Sequence, residues 1–228
     1  MPRTDSDRPG ADASGKPGHD CPLCPRLVAF RHELRAREPG WHNAPVRSFG
    51  SIDARVLIVG LAPGLQGANR TGRPFTGDYA GLLLYDTLIR FGLARGRYDA
   101  RPDDGLELVD ARISNAVRCV PPENKPTPAE IATCRNFLVA TLAEMKNLSA
   151  IVALGRIAHD SVVVALGGKK SAAVFGHGCQ AVIGRVTLFS SYHCSRYNTN
   201  TGVLTPDMFR DVFAALRAYL DVSSSGDR

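Results

Sequence analysis

The 228-residue sequence holds no apolar run long enough to cross a bilayer, and its first twenty residues, MPRTDSDRPGADASGKPGHD, place no hydrophobic region behind their charges. A membrane span and a secretory leader are therefore not expected, and the compartment expected is the cytoplasm. In that setting the six cysteines read as thiols or metal ligands, since disulfides persist mainly in oxidising compartments. No internal repeat is present. The glycine-rich stretch after the first apolar run lacks the lysine of a phosphate-binding P-loop and the spacing of a dinucleotide fingerprint, which argues against a zinc-stapled nucleotide-binding enzyme. No lysine is placed as a Schiff-base nucleophile.

What is present suits one sizeable core. Hydrophobic residues make up 44% of the chain, and the formal charge is +6 from 28 basic and 22 acidic side chains, a modest excess compatible with a polyanionic partner. Residues 1–19 mix Pro, Gly, Asp and Ser without periodicity and are expected to be a disordered tail, as are residues 223–228. Residues 20–222 are expected to form a single domain, and a monomer.

Within it, apolar runs alternate with helical patterns. Ala54–Val59, Ala111–Val117 and Ala150–Leu154 read as strands, and Ala181–Ser190 includes strand material, most clearly Val186–Phe189; helices are expected from Cys24 to about Glu38, over Tyr79–Phe91, from Pro128 through Leu142, over Arg156–Leu166 and over Pro206–Leu220. Thr127 and Pro128 supply an N-cap and an N1 proline. Such alternation predicts an α/β fold, a three-layer α/β/α sandwich around a mainly parallel sheet of roughly four strands. Ligands of open sheets sit beyond the carboxyl ends of the strands, where two long polar loops (residues 60–78 and 193–205) and Asn115 fall.

Two cysteine pairs, Cys21-x2-Cys24 and Cys119-x14-Cys134, lie at helix starts and loop ends and suggest a four-thiolate site joining the N-terminal segment to the body. Four cysteines suit zinc or a four-iron cluster; the plainer alternative is that Cys119 and Cys134 are small buried side chains. Cys179 and Cys194 fall outside both pairs.

Gly60-Leu61-Ala62-Pro63-Gly64, followed by Asn69-Arg70-Thr71-Gly72-Arg73-Pro74-Phe75-Thr76-Gly77-Asp78, resembles the first motif of the uracil-DNA glycosylase superfamily, most nearly its type 5 branch. His193-Cys194-Ser195-Arg196-Tyr197-Asn198 resembles the second motif, and the cysteine spacing is similar to that of the iron-sulfur branches. The resemblance spans about residues 21–220. It implies a monofunctional glycosylase that extrudes and excises uracil, and possible substrates such as hypoxanthine, from double-stranded DNA, with a [4Fe-4S] cluster held by Cys21, Cys24, Cys119 and Cys134. Gly60, Ala62, Pro63 and Gly64 would approach the base, Phe75 would stack on it, and Asn115, whose amide both donates and accepts, would read its edge. His193 would donate to the departing base, and Tyr197 would fill the gap left in the duplex.

Two departures stand out. Cys194 replaces the superfamily's usual proline. Leu61 and Ala62 stand where other branches carry an acidic or amide residue, so the nearest loop carboxylate is Asp78, expected either to serve the chemistry or to cap the helix at Tyr79. A non-catalytic nucleic-acid binder, with iron-sulfur or zinc, is the rival from another class. The basic pair Lys169 and Lys170 has no assigned role.

Overall fold

Val56–Gly60 is buried along its whole length, and its side chains divide between two apolar cores, Val56 and Ile58 on one face of the sheet, Leu57 and Val59 on the other. A strand that must bury both faces is built from β-branched and aliphatic residues without polar alternation. The computed structural model describes residues 10, 12 and 15–225; the other residues of the two expected tails lie outside the described residues. Inside the first tail, Lys16 pairs with Glu144 at 2.9 Å and Asp12 with Arg47 at 2.6 Å.

Among the described residues, eight strands and seven α-helices run in chain order as α1 Pro25–Arg37, β1 Phe49–Gly50, β2 Val56–Gly60, α2 Ala68–Thr71, α3 Tyr79–Arg90, β3 Ala94–Arg95, β4 Glu107–Leu108, β5 Ala111–Asn115, α4 Pro128–Glu144, β6 Ala150–Leu154, α5 Arg156–Ala165, β7 Gln180–Ile183, β8 Val186–Ser191, α6 Arg196–Asn200 and α7 Pro206–Ser225. The central sheet has the order β1-β5-β2-β6-β8-β7. Its inner strands β5, β2, β6 and β8 are mutually parallel, the four expected; β1 and β7 extend it as antiparallel edges. Both edges escape the hydrophobic pattern for physical reasons. β1 is two residues long, and β7 has one face towards solvent.

Helices α3 and α7 cover one face through Leu84, Leu88, Phe209, Phe213 and Leu216, while α4 and α5 cover the other through Leu138, Leu142, Val162 and Val163. These are the three layers. The start of α4 is a complete capping box: Thr127 Oγ1 accepts from Glu130 N at 3.3 Å, and Glu130 Oε2 accepts from Thr127 N at 2.7 Å. Arg26 donates to both oxygens of Glu130 at 2.8 Å, tying α1 to α4.

Candidate functional site

The parallel strands deliver their following loops to one rim of the sheet, and those loops enclose a cleft of about 650 Å³. Ala62, Pro63 and Gly64 after β2, Phe75 and Asp78 before α3, Asn115 at the end of β5 and His193 after β8 all line it. Gly60 lies beneath them. A Cβ there would stand 2.6 Å from the Phe75 ring and 2.5 Å from Asn115 Oδ1, so only glycine lets ring and amide approach the strand end.

Phe75 is held in a left-handed conformation, φ 52°, which a bulky residue adopts only under restraint. The restraint is visible. Tyr98 donates from its hydroxyl to Phe75 O at 3.1 Å, Tyr85 donates to Pro74 O at 2.7 Å, and Arg73 forms a two-armed ion pair with Asp104 at 2.8 and 2.7 Å. That pair is almost wholly buried, with side-chain exposures of 6% and 0%. The Arg73 guanidinium also faces the rings of Phe49, Tyr85 and Tyr98, and its Nε donates to Thr76 Oγ1 at 2.7 Å. The loop is therefore stiff at Phe75.

Asn115 is 2% exposed, and its Oδ1 has no hydrogen-bond partner. A buried carboxamide oxygen without a donor costs about 1–3 kcal/mol, so it is retained where a ligand supplies the missing hydrogen. His193 packs its ring against Phe75, with centroids 5.9 Å apart and planes 25° from parallel. Its backbone carbonyl accepts from Asn198 Nδ2 at 2.8 Å, which fixes the turn into α6. Burial lowers the imidazole pKa to about 4, so the ring is neutral at physiological pH.

Asp78 caps α3, one of its two expected roles, and also lines the cleft. Its Oδ1 accepts from Gly81 N at 3.2 Å as the N-cap of α3, while Oδ2 lies against Gly64 and Gly67 on the wall of the cleft. Burial pushes its pKa above the ordinary carboxylate value, against two backbone hydrogen bonds that lower it. Tyr197 stands apart from the lining residues: it lies on α6, 74% exposed. Beside it Arg196 does line the cleft, its guanidinium 5.4 Å from the Tyr79 ring centroid. Lys169 and Lys170 lie off the cleft, in the loop after α5, and Lys170 pairs with Asp160 at 3.1 Å. Buried Cys194 donates from Sγ to Ala80 O at 3.5 Å, linking the His193 loop to the first turn of α3; Cys179 is exposed.

The second centre is the cavity lined by Cys21, Cys24, Cys119 and Cys134, walled by Leu27, Val117 and Phe137. Cys134 Sγ accepts from Arg118 N at 3.3 Å. Burial and the neighbouring thiols push Cys119 up to about 12 and Cys134 to about 11. Among the described residues, no three His, Cys, Asp or Glu side chains converge on a point suited to a single metal ion. The donor set nevertheless fits a thiophilic centre: four thiols from α1's leading edge, the exit of β5 and α4 face one apolar space.

The family profile described as "Uracil DNA glycosylase superfamily" matches residues 47–217. The chain belongs to that superfamily. Among curated relatives, it is 46% identical over 199 residues to the type-5 uracil-DNA glycosylase of Thermus thermophilus, covering 84% of this chain and 90% of that protein. It is 39% identical over 197 residues to the type-5 uracil-DNA glycosylase of Pyrobaculum aerophilum, 85% of this chain and 86% of that one. With the type-4 uracil-DNA glycosylase of Thermotoga maritima the similarity is 41% over 110 residues, about half of each chain (48% and 49%). The matches to the type-5 proteins cover 84% and 85% of this chain, more than the residues 47–217 that the profile spans.

As a member of the uracil-DNA glycosylase superfamily the chain has more at its cleft than its motifs disclosed. Tyr79, Gln66, Asn124 and Arg196 also line it. Asn124 carried one readable signal, its place in the Pro-Pro-Glu-Asn turn, where it adopts φ 57°. Asp104 and Tyr98, the braces of the Phe75 loop, sit in a polar, turn-rich stretch that gives no periodic sign of burial.

Proposed function

We propose that the protein is a monofunctional uracil-DNA glycosylase of the type 5 kind, hydrolysing the N-glycosidic bond of a deaminated nucleotide extruded from double-stranded DNA. The observation that carries this reading is the unpartnered Asn115 Oδ1 in a cleft that also presents Phe75 and His193. An extruded pyrimidine offers a donor and an acceptor on one edge, the complement of a carboxamide.

In this reading the base stacks on Phe75 and is read by Asn115. Neutral His193 donates a hydrogen bond to the carbonyl oxygen on which negative charge grows as the bond to deoxyribose breaks, and a preorganised donor in a dry pocket stabilises that charge strongly. Asp78, as a carboxylate, positions the attacking water or offsets positive charge on the sugar. Tyr197, exposed on α6 beside the cleft, is suited to stack into the duplex where the nucleotide has left. Leu61 and Ala62 present no polar group to discriminate the base, which suits acceptance of hypoxanthine alongside uracil.

Cys21, Cys24, Cys119 and Cys134 would hold a [4Fe-4S] cluster, whose contribution is to staple α1 to the body. In such a cluster each cysteine ligates a different iron, so thiols spread around a cavity serve without converging on one point. Iron analysis and visible absorption test this; a colourless protein with one zinc would remove the cluster and leave the fold.

The deciding assay is purified protein on a duplex with a single uracil, followed by alkali. Strand breakage that appears only after alkali is expected. An intact duplex after prolonged incubation would favour the non-catalytic DNA-binding reading. Breakage without alkali would show a lyase step and overturn the monofunctional one.

A further inference from the structure

Among the described residues, two arginines beside the four cysteines form no ion pair with an acid. Arg31, on α1, is 3% exposed; its Nη2 donates to Cys21 O at 3.1 Å, its Nη1 lies 3.9 Å from Cys119 Sγ, and its buried Nε has no partner. Arg118, just past β5, is 2% exposed. It donates to Ser48 Oγ at 2.9 Å, Thr141 Oγ1 at 3.1 Å and Val46 O at 3.5 Å, and its Nε is likewise unpartnered. Both residues line the cysteine cavity, Arg31 through a guanidinium nitrogen near Cys119 Sγ and Arg118 through its backbone N–H on Cys134 Sγ. Glu144 is the acidic group nearest in effect to Arg118, but it is paired with Lys16 at 2.9 Å, and Arg112 adds a further positive charge on that side.

Burying a guanidinium without an anion costs several kcal/mol, and neutral oxygens offset only part of it. Uncompensated buried cations are kept where something negative belongs. Four cysteine thiolates outweigh a divalent metal or a dicationic cluster, so a centre held by all four is anionic as a whole. We propose that Arg31 and Arg118 are the counter-charges of that anionic thiolate-metal centre, which hold it in place and ease its reduction. The inference rests on the four-cysteine reading above and goes beyond it, because it assigns the charge balance to two residues that ligate nothing.

The test compares Arg31→Met, which keeps the apolar stem and removes the charge, with Arg31→Lys, which keeps the charge and loses the planar fork. Each protein is purified anaerobically with its metal, and two quantities are read: the rate of metal release to a chelator, and the midpoint potential by dye titration. Arg31→Met is expected to release metal about tenfold faster or more, in the range seen when outer partners of metal ligands are lost. Its potential should become more negative, because an added electron is less stabilised once a nearby positive charge is gone. Arg31→Lys should stay close to the parent in both.

Equal release and potential in Arg31→Met and the parent would overturn the proposal, as would an Arg31→Lys protein as impaired as Arg31→Met. Should Arg31→Met fail to fold, Arg118→Lys against Arg118→Gln repeats the comparison at the second arginine. Iron and zinc counted per chain judge the cofactor reading separately, and release rates judge the counter-charges with either metal. A protein that holds neither metal would overturn both.

Discussion

Asp78 uses its two oxygens differently, one on the α3 amide and one on the cleft wall, and a single isosteric change separates the uses. Asparagine caps a helix about as well as aspartate, so Asp78→Asn should leave the melting temperature nearly unchanged while slowing base release in single-turnover assays. Retained activity would move the chemistry to His193 and backbone amides. His193→Ala should slow the same step by roughly a hundredfold with little loss of binding, the usual cost of removing one preorganised donor. The imidazole also leaves a mark on stability. Its pKa falls from 6.5 to about 4 on folding, so the unfolded chain binds more protons between those values. Stability due to His193 is therefore complete above about pH 6.5 and lost as pH falls towards 4. Asp78, whose pKa is raised, works in the opposite sense at the acid end, so the quantity to read is the difference between parent and His193→Ala in urea unfolding. That difference should be flat above pH 6.5 and shrink below it.

Among the elements, the segment from β2 to α3 decides how firmly Phe75, the proposed stacking platform, is held. Asp104→Asn would leave the Arg73 guanidinium buried with half its partner gone, and breaking one side of such a pair costs about 3–5 kcal/mol. Chemical unfolding should show that loss, and substrate affinity should weaken with it as the Phe75 loop slackens. An unchanged affinity in a destabilised protein would separate the brace from the platform. Asp104 also shows why part of the site was illegible in the sequence. The helices and inner strands were readable because burial imposes period and length, and Thr127-Pro128 marks a helix start in three dimensions as in one. Phe75, Asn115 and His193 were readable through motif resemblance. Asp104 was not, since its burial comes from a partner 31 residues away and no local pattern records it. The short helices α2 and α6 and the β3-β4 pair were missed because elements of two to five residues are set by tertiary packing rather than by their own periodicity.

At the scale of the whole molecule, net charge and cleft meet at Arg196, an exposed cation lining the opening. Affinity for undamaged duplex should fall steeply as salt rises, and Arg196→Ala should reduce the slope of log affinity against log salt by about one if it touches a phosphate. An unaltered slope would place the DNA backbone elsewhere. The sheet order, β1-β5-β2-β6-β8-β7, has a further consequence for the chain as it is made. The glycine loop, Phe75 and Asn115 all fall within the first 115 residues, the last of the four paired cysteines follows at Cys134, and His193 comes only after β8, whose place in the sheet is between β6 and β7. A ribosome releasing this chain thus delivers Phe75, Asp78 and Asn115 well before His193. A nascent chain halted before β8 would lack His193, and on the proposed mechanism it would lack the donor to the departing base as well.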